Sequence, residues 1–423
     1  MYDDLEAMRR ELLGAASVPR TPAPQEAAAT SPVESRWRWQ PIGLGYGTSP
    51  EWAPADRIQR AKPPVLGYEQ VLQTLRSYGV PAQSMESSPL VGSSVTTYVV
   101  RLEDGARVSS IGRKADDIAF GLGLPSIRVL TFMEGKPGCI GLEVPNMSRG
   151  TVVFRDIVAA AGPHMSKPGI TIAYGAETNG RPYFLHLGDS SPHLLIAGKS
   201  GSGKSVAIDM VMASICCLYS PDEVQVAVVD PKTSLGIWKG MPHLIMPPVS
   251  EPTAVSSLFS WAASEIRDRK DKFDRRGCTT LASYNSDVPG EDALPKVVIV
   301  VDEYETLMAS KSRARSGGPS ATEQMTADLL EVARLGRSYG MHLVLATQRP
   351  TAESMHPTLK SQTTKIACVV ETVTDSRIIL DTAGAEALLG RGDSLVKGSD
   401  GLARVQCAWI SPTSVASLIN GAP

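Results

Sequence analysis

The sequence has few of the features that mark secreted or membrane proteins. Its six cysteines include no C-x-x-C pair, which argues against both a disulfide scaffold and a zinc module. No uninterrupted apolar run reaches the roughly 18–20 residues that cross a bilayer. The first residues, MYDDLEAMRRELL, are too polar for a signal peptide. We therefore expect a cytoplasmic protein without an integral membrane span.

The chain also lacks an excess of charge of either sign. Lys and Arg total 42 and Asp and Glu total 44, so the net charge is -2. This balance excludes a globally basic nucleic-acid coat protein but leaves room for a local basic surface. The apolar fraction of 42% is ordinary for a protein with a sizeable core, and 423 residues suggest two or three domains.

Residues 1–62 differ in texture from the rest of the chain. A short amphipathic helix is expected near the start, followed by VPRTPAPQEAAATSPVE, whose composition is typical of a flexible linker. Next comes an arm with three of the chain's six tryptophans, Trp37, Trp39 and Trp52. This arm either drapes over the chain's own folded part or docks onto a partner or a neighbouring subunit.

Residues 63–160 have the pattern of a small α+β domain. Asp104-Gly105 is a strong hairpin signal, and it predicts that two strands pair across it. The expected elements are a helix over 66–80, strands over 95–102 and 107–111, a helix over 114–124, and strands over 127–132 and 139–144.

From residue 161 to 423 the pattern alternates short aliphatic runs with helical stretches. Such runs suit strands that are buried on both faces of a parallel sheet with helical crossovers, so the predicted fold class is α/β. The predicted strands are 193–197, 224–229, 296–301, 342–346 and 365–370, and the predicted helices include 206–219, 254–275 and 323–338.

The segment Gly198-Lys199-Ser200-Gly201-Ser202-Gly203-Lys204-Ser205 matches the phosphate-binding pattern G-x-x-x-x-G-K-[ST]. It lies between a predicted strand and a predicted helix, as the mechanism requires. Glycines let the loop curl so that backbone N–H groups face phosphate oxygens, and the helix adds its positive end. Lys204 is expected to neutralise the β- and γ-phosphates of ATP, and Ser205 to bind Mg²⁺.

A second acidic strand end strengthens the nucleotide hypothesis. The aliphatic run over 297–301 ends in Asp302-Glu303. Asp302 is expected to hold the Mg²⁺ shell, and Glu303 to polarise the attacking water as a general base. The competing interpretation is a strand that ends in a solvated acidic turn. An adjacent acid pair favours hydrolysis over phosphoryl transfer, which predicts an ATPase.

Two further strand ends carry polar residues toward the same edge of the predicted sheet. Gln348 follows the strand HLVLA and is assigned to sensing the γ-phosphate, against the alternative of a structural amide. Asp230-Pro231-Lys232 closes the strand VQVAVVD at that edge, where ligands gather in open α/β folds.

These pieces together resemble the motor region of the FtsK/SpoIIIE family of double-stranded DNA translocases. The motifs are PHLLIAGKSGSGKS, VVDPK, MPHLI, VVIVVDE, MHLVLATQRP and DSRIILDTAGAEALLGRGDSL, with VTTYVVRLEDG, IGLEVPN and RDI upstream. The resemblance covers roughly residues 65–412. It implies a RecA-like P-loop ATPase domain with a mainly parallel sheet, preceded by the small α+β domain and the flexible N-terminal arm.

The resemblance also implies a ring, usually a hexamer, that threads duplex DNA using ATP bound between subunits. In such rings a neighbouring subunit supplies an arginine to the γ-phosphate. Arg377 in the DSR motif is the first candidate, followed by Arg349 and Arg337. Each of these is alternatively an ordinary surface or inter-strand arginine.

Two basic segments are candidates for contact with DNA phosphates. Lys311, Arg313 and Arg315 are spaced two residues apart, which places them on one side of an extended loop, although a solvated surface loop explains them equally well. Lys360 and Lys365 match basic positions of the family in the segment after ATQRP. The leading functional hypothesis is therefore an ATP-driven pump for double-stranded DNA.

The sequence departs from the family's cell-division members in two ways. They carry N-terminal membrane spans and a C-terminal winged-helix domain that reads oriented DNA, and neither pattern occurs here. Membrane anchoring and sequence-guided direction are accordingly not expected. An FtsK-like ATPase for protein secretion is the alternative function, although such proteins usually repeat the ATPase module. A nucleotide-gated DNA tether is a third interpretation, which the intact Lys204, Ser205, Asp302 and Glu303 disfavour.

Overall fold

A computed structural model describes residues 61–420, apart from 105–106, 132, 134–135, 166–168, 189–190, 310–320, 349 and 352–355. The described residues form two sheets that follow one another in the chain. The predicted helix at the N-terminus and the Trp-rich arm (Trp37, Trp39 and Trp52) lie outside the described residues.

The first sheet and the helices that accompany it are formed by the chain from Tyr68 to Pro145. Its strands are β1 (Ala82–Ser84), β2 (Leu90–Val91), β3 (Val95–Leu102), β4 (Arg128–Leu130) and β5 (Cys139–Pro145), and its helices are α1 (Tyr68–Ser77), α2 (Val108–Arg113) and α3 (Ala115–Gly121). The pairing is antiparallel in the order β1-β3-β5-β4, with β2 also paired to β3. The small α+β architecture is as expected from the sequence.

The hairpin predicted across Asp104-Gly105 is wrong. Of the residues predicted as a strand over 107–111, all but Arg107 belong instead to α2. Strand β3 already pairs with β5 on one side and with β1 and β2 on the other, so no edge of β3 is free for a further strand. Val108 and Ile111, three residues apart, lie on one side of a helix, and both pack in the core of this sheet.

The second sheet is larger and has parallel and antiparallel parts. Its strands are β6 (Ile170–Glu177), β7 (Pro182–Leu187), β8 (His193–Ala197), β9 (Val224–Val229), β10 (Lys296–Val301), β11 (Met341–Thr347), β12 (Thr363–Ala367), β13 (Asp393–Gly398) and β14 (Gly401–Cys407). Their order is β7-β6-β14-β13-β12-β8-β11-β10-β9. The run from β12 to β9 is parallel, and the pairs from β12 to β7 are antiparallel.

All five predicted parallel strands are confirmed as strands, with small shifts at their ends. The largest shift is in β12, which ends at Ala367 rather than at residue 370. The carbonyl of Val369 accepts the backbone N–H of Lys199 at 3.0 Å, so this part of the chain holds the glycine-rich loop rather than a neighbouring strand. The antiparallel strands β6, β7, β13 and β14 were not predicted.

Helices cover both faces of the large sheet. They are α4 (Phe154–Val158), α5 (Lys204–Leu218), α6 (Pro252–Arg275), α7 (Leu281–Asp287), α8 (Tyr304–Ala309), α9 (Ala321–Tyr339), α10 (Pro357–Gln362), α11 (Val373–Leu380) and α12 (Pro412–Ile419). Short 3₁₀ turns lie at Gly162–His164, Gly236–Trp238, Gly290–Asp292 and Ala385–Ala387.

Alternating residues of β8 show how the two faces are filled. Leu194 and Ile196 pack in the cluster that contains α5 and α12. Leu195 and Ala197 pack in the cluster that contains α6 and α9. All of β8 is buried, which explains the uninterrupted apolar run from Leu194 to Ala197. None of the helices in the described part of the chain is long and apolar enough to cross a membrane.

The carboxyl group of Asp209 is mostly buried and accepts a hydrogen bond from a neutral donor. Asp209 on α5 accepts a hydrogen bond from Trp238 Nε1 at 2.8 Å. Burial raises the pKa of Asp209 to about 6, although the bond from Trp238 opposes the shift. Protonation of this group therefore favours the folded state, because its ordinary pKa of 3.8 is lower than the folded value.

We predict that Asp209→Asn removes a pH-dependent loss of stability. Ionisation of buried Asp209 lowers the free energy of unfolding of the wild type as pH rises from about 4 to 6, and the loss amounts to as much as about 3 kcal/mol above that range. Asparagine keeps an acceptor for Trp238, so the variant should gain stability over the wild type through this window and hold the gain at higher pH. Urea unfolding at several pH values measures the difference. Asp222→Asn, at an exposed position, is the control, and a difference for Asp209→Asn that does not change with pH would contradict the prediction.

Candidate nucleotide site

The glycine-rich loop lies between β8 and α5, where the sequence places it. Gly201 and Gly203 have φ values of 74° and 113°, which L-residues with side chains rarely adopt. A Cβ atom on Gly203 would lie 2.5 Å from the nitrogen of Gly392. That nitrogen donates to the carbonyl of Ser202 at 3.1 Å. The loop therefore packs tightly against the turn before β13, and only glycine is tolerated at position 203.

Lys204 begins α5 and contacts both members of the acidic pair that follows β10. Its Nζ atom pairs with Asp302 Oδ1 and lies 3.4 Å from Glu303 Oε1. The three residues are 5%, 2% and 2% exposed, so the buried charge of Lys204 is compensated by the acidic pair. Glu303 has a φ of 56°, a left-handed conformation that costs a residue with a side chain about 1–2 kcal/mol. Such strain is common at functional positions.

Gln348 comes to the same carboxylate from β11. Its Nε2 atom donates to Glu303 Oε1. The structure thus brings together Lys204 from the start of α5, Asp302 and Glu303 from the end of β10, and Gln348 from the end of β11. Their convergence follows from the parallel order β8-β11-β10, which places the carboxyl ends of these strands at one edge.

Sequence reasoning missed the contact that Lys232 makes here. Lys232 Nζ lies 3.0 Å from Glu303 Oε1. The sequence did place Asp230-Pro231-Lys232 at this edge of the sheet, but it assigned the lysine no role. The signal that could have revealed this contact is that Lys232 and Glu303 follow two neighbouring parallel strands, β9 and β10.

An open cleft of about 1170 Å³ runs along the glycine-rich loop. Within the described chain its wall includes residues of the loop (Lys199, Ser200, Gly201, Gly203, Lys204 and Ser205) together with Gln348. The lining also includes Arg149, Arg391 and Trp409. Backbone N–H groups, the start of a helix and several cations make this cleft suitable for a polyphosphate, and its size suits a nucleotide.

A buried ion network joins the small sheet to the turn that abuts the loop. Arg404 on β14 pairs with Glu143 on β5 at 2.6 Å and with Asp393 on β13 at 2.6 Å. Burial alone would lower the pKa of Arg404, but the two carboxylates more than offset it and raise the pKa above its ordinary value. Arg149, from the segment between the sheets, donates to the carbonyls of Leu389 and Gly390 at 2.7 and 2.9 Å.

Two of the arginine candidates, Arg377 and Arg337, are described by the structure. Arg377 and Arg337 are exposed on α11 and α9, and neither is among the residues that line the cleft. Arg349 and the basic segment with Lys311, Arg313 and Arg315 lie outside the described residues.

Lys360 and Lys365 lie close together in the fold. Lys365 on β12 is directly opposite Lys397 on β13. The carboxylate of Asp381 pairs with Lys360 at 2.5 Å and with Lys397 at 2.9 Å, and the hydrogen bond from Lys360 is the main cause of a lowered pKa for Asp381. Burial lowers the pKa of Lys365. Three lysines thus surround one carboxylate and leave a net positive cluster.

Comparison with known proteins gives consistent matches along most of the chain. A model described as the FtsK/SpoIIIE family matches residues 154–352, and one described as the FtsK alpha domain matches residues 61–146. A protein named DNA translocase FtsK from Halalkalibacterium halodurans is 35% identical over 364 residues, covering 83% of this chain and 44% of that protein. Its counterpart from Caldanaerobacter subterraneus is 34% identical over 83% of this chain and 48% of that protein. The chain thus spans about half the length of these relatives.

Solved structures show a similar fold at low sequence identity. The pCW3 conjugation coupling protein TcpA matches with a TM-score of 0.54 and 17% identity, over 83% of this chain and 98% of that one. The type VII secretion ATPase EccC of Thermomonospora curvata matches with a TM-score of 0.54 and 21% identity, over 64% of this chain and 35% of that one. These likenesses concern the α/β fold with its mostly parallel sheet.

We predict that the ion network stabilises the folded chain far more than a surface pair does. Glu143→Ala should lower the free energy of unfolding by about 3 kcal/mol or more, because Arg404 would lose one of its two buried carboxylates. The matched control is Glu331→Ala, which breaks the exposed pair with Arg267 and should cost less than about 1 kcal/mol. Urea unfolding compares the two variants, and equal losses would contradict the prediction.

Proposed function

Because the chain belongs to the FtsK/SpoIIIE family, we propose that it is an ATP-driven translocase that threads double-stranded DNA through a ring of subunits. It would hydrolyse ATP at subunit interfaces and serve DNA segregation, transfer or packaging. The observation that carries the proposal is the convergence of Lys204, Asp302, Glu303 and Gln348 beside the glycine-rich loop. The match to relatives named DNA translocases supplies the substrate class.

ATP binding exchanges one set of partners of Lys204 for another. In the structure its ammonium group is neutralised by Asp302 and Glu303. The phosphates of ATP would take over that charge compensation, together with the backbone N–H groups of residues 199–205 and the start of α5. The acidic pair is then released from Lys204 and becomes available for chemistry.

The residues present suit a magnesium ion. A serine hydroxyl and a carboxylate are hard oxygen donors of the kind that Mg²⁺ prefers. Ser205 is exposed to the cleft and Asp302 lies beside Lys204, so we assign Mg²⁺ to these two residues. A bound Mg²⁺ supplies compensation of phosphate charge.

Glu303 is the proposed general base. A water oxygen would form a bond to the γ-phosphorus while the bond to the bridging oxygen of ADP breaks, and the water proton would pass to the carboxylate of Glu303. Gln348 would sense the γ-phosphate, and its hydrogen bond to Glu303 supports this assignment.

A ring geometry would add an arginine from the neighbouring subunit. We keep Arg377 as the first candidate and Arg349 and Arg337 as the others. Arg377 lies on α11, whose N-terminus is stabilised by a capping box between Thr372 and Asp375. The side chain of Arg377 is exposed. An exposed arginine on a fixed helix can reach across an interface.

The proposed DNA contacts are Lys360 and Lys365, with Lys311, Arg313 and Arg315 as a second set. The clustering of Lys360 and Lys365 with Lys397 supports the first set, since a phosphate needs several cations on one surface. A ring would repeat this cluster around its channel, so a neutral chain can still present a positive channel.

We divide the chain into an arm (1–62), a small α+β domain (63–160) and a motor domain (161–423). The family matches, which end at residue 146 and resume at residue 154, support a boundary between the two sheets. Docking of a partner through the arm is part of the same proposal.

Protein secretion is the alternative function. The fold is shared with a secretion ATPase, but that likeness concerns the fold alone. The match to the FtsK alpha domain over residues 61–146 favours DNA.

The proposal predicts an ATPase that long duplex DNA stimulates. Stimulation should fall steeply as salt rises from about 50 to 200 mM, because each phosphate contact releases counterions. Steady-state ATPase assays with and without duplex DNA measure it. Glu303→Gln should lower the rate about 100-fold or more in either condition.

Paired variants connect the stimulation to the lysine cluster. The double variant Lys360→Gln/Lys365→Gln should bind DNA with a weaker salt dependence. The slope of log binding constant against log salt concentration should fall by about one for each phosphate contact removed. Lys270→Gln, exposed on α6, is the control. An ATPase that duplex DNA leaves unchanged even at low salt, or that a polypeptide substrate stimulates instead, would overturn the DNA assignment.

A further inference from the structure

The turn that follows β9 is fixed by its own first residue. Asp230 is 2% exposed, and its carboxylate accepts the backbone N–H groups of Ser234 at 3.0 Å and Leu235 at 2.7 Å. Thr233 has a φ of 56°, which lets the chain fold back over so few residues. The turn over 230–235 is therefore a rigid feature and not a loose connection.

Two side chains of this turn reach the acidic pair on the neighbouring strand. Ser234 Oγ donates to Asp302 Oδ2 at 2.8 Å, and Lys232 Nζ lies 3.0 Å from Glu303 Oε1. The approach is set by the parallel pairing, in which Val229 lies opposite Val301 and the N–H of Asp302 donates to the carbonyl of Val229 at 2.9 Å.

Lys232 differs in accessibility from the other partners of Glu303. The side chain of Lys232 is 54% exposed, whereas that of Glu303 is 3% exposed and that of Lys204 is 6% exposed. Lys232 therefore reaches a buried carboxylate from the solvent side. Once the phosphates of ATP engage Lys204, the contacts from Lys232 and Gln348 can still hold the carboxylate of Glu303.

We infer that Lys232 is a positioning residue for hydrolysis, which holds the carboxylate of Glu303 in the orientation that receives the proton of the attacking water. It acts through Glu303 and not on the nucleotide. The turn of Asp230 supplies the rigidity, because a carboxylate that must accept a proton at one position is sensitive to displacement by about 1 Å. This inference rests on the proposed role of Glu303 as the general base.

A double-mutant cycle tests the inference in the full chain. Lys232→Met should lower kcat for ATP about tenfold while KM changes less than about twofold, because the contact orients a base and does not bind substrate. Lys232→Arg should keep most of the rate, since a guanidinium can make the same ion pair. In a Glu303→Gln background, Lys232→Met should leave the residual single-turnover rate unchanged within about twofold.

A matched control separates positioning from general effects of charge or stability. Lys239→Met changes an exposed lysine on the same connection between β9 and α6 and should leave kcat unchanged. Thermal unfolding of each variant checks that the fold persists. The inference is overturned if Lys232→Met leaves kcat intact, raises KM alone, or costs as much in the Glu303→Gln background as in the wild type.

The outcome is distinguishable from failure of the proposed function. If the wild type hydrolyses ATP and Glu303→Gln does not, but duplex DNA has no effect, DNA translocation fails while the role of Lys232 is still decided by the cycle. If Glu303→Gln hydrolyses ATP at the wild-type rate, the role of Glu303 fails and the inference about Lys232 falls with it.

Discussion

Parallel pairing of β12, β8, β11, β10 and β9 is the constraint on which the site of the described chain depends. Because these strands run in one direction, the residues that follow β8, β9, β10 and β11 all emerge at one edge of the sheet. The glycine-rich loop, the turn of Asp230, the acidic pair and Gln348 are the segments that emerge there. Reversal of β8, β9, β10 or β11 would carry the residues that follow that strand to the opposite edge, away from the rest of the site.

The buried charges at this edge of the sheet are paired with one another. Lys204, Asp302 and Glu303 are nearly inaccessible, and buried charges persist when they are paired. In the described chain the lysine is paired with the two acids, and a triphosphate offers it a stronger partner. In the proposed function, exchange of partners by Lys204 would link nucleotide binding to the freedom of Glu303, the proposed general base. The ion network of Glu143, Arg404 and Asp393 extends the same principle from the small sheet to the turn that abuts the loop.

Much of this arrangement is readable in the sequence, because β8, β9, β10 and β11 each contain an aliphatic run and each candidate site residue follows one of them. Lys204, Asp302, Glu303 and Gln348 were all placed in this way. The contact of Lys232 with Glu303 was not, since it depends on the left-handed φ of Thr233 and on the capping by Asp230. Lys365 lies opposite Lys397 because β12 and β13 pair antiparallel, and no periodic pattern in the sequence predicted that pairing. The hairpin at Asp104-Gly105 was wrong because the occupied edges of β3 overrode a local turn signal.

The central claim is that hydrolysis at this edge moves the protein along duplex DNA. Displacement of a third strand from a triplex tests it most directly, since a motor that tracks the duplex strips the strand without unwinding the two below. We expect the wild type to release the third strand when ATP is present. We expect Glu303→Gln to bind the duplex but to leave the third strand in place. Release by Glu303→Gln at the wild-type rate, or no release by a wild type that hydrolyses ATP on the same DNA, would contradict the account.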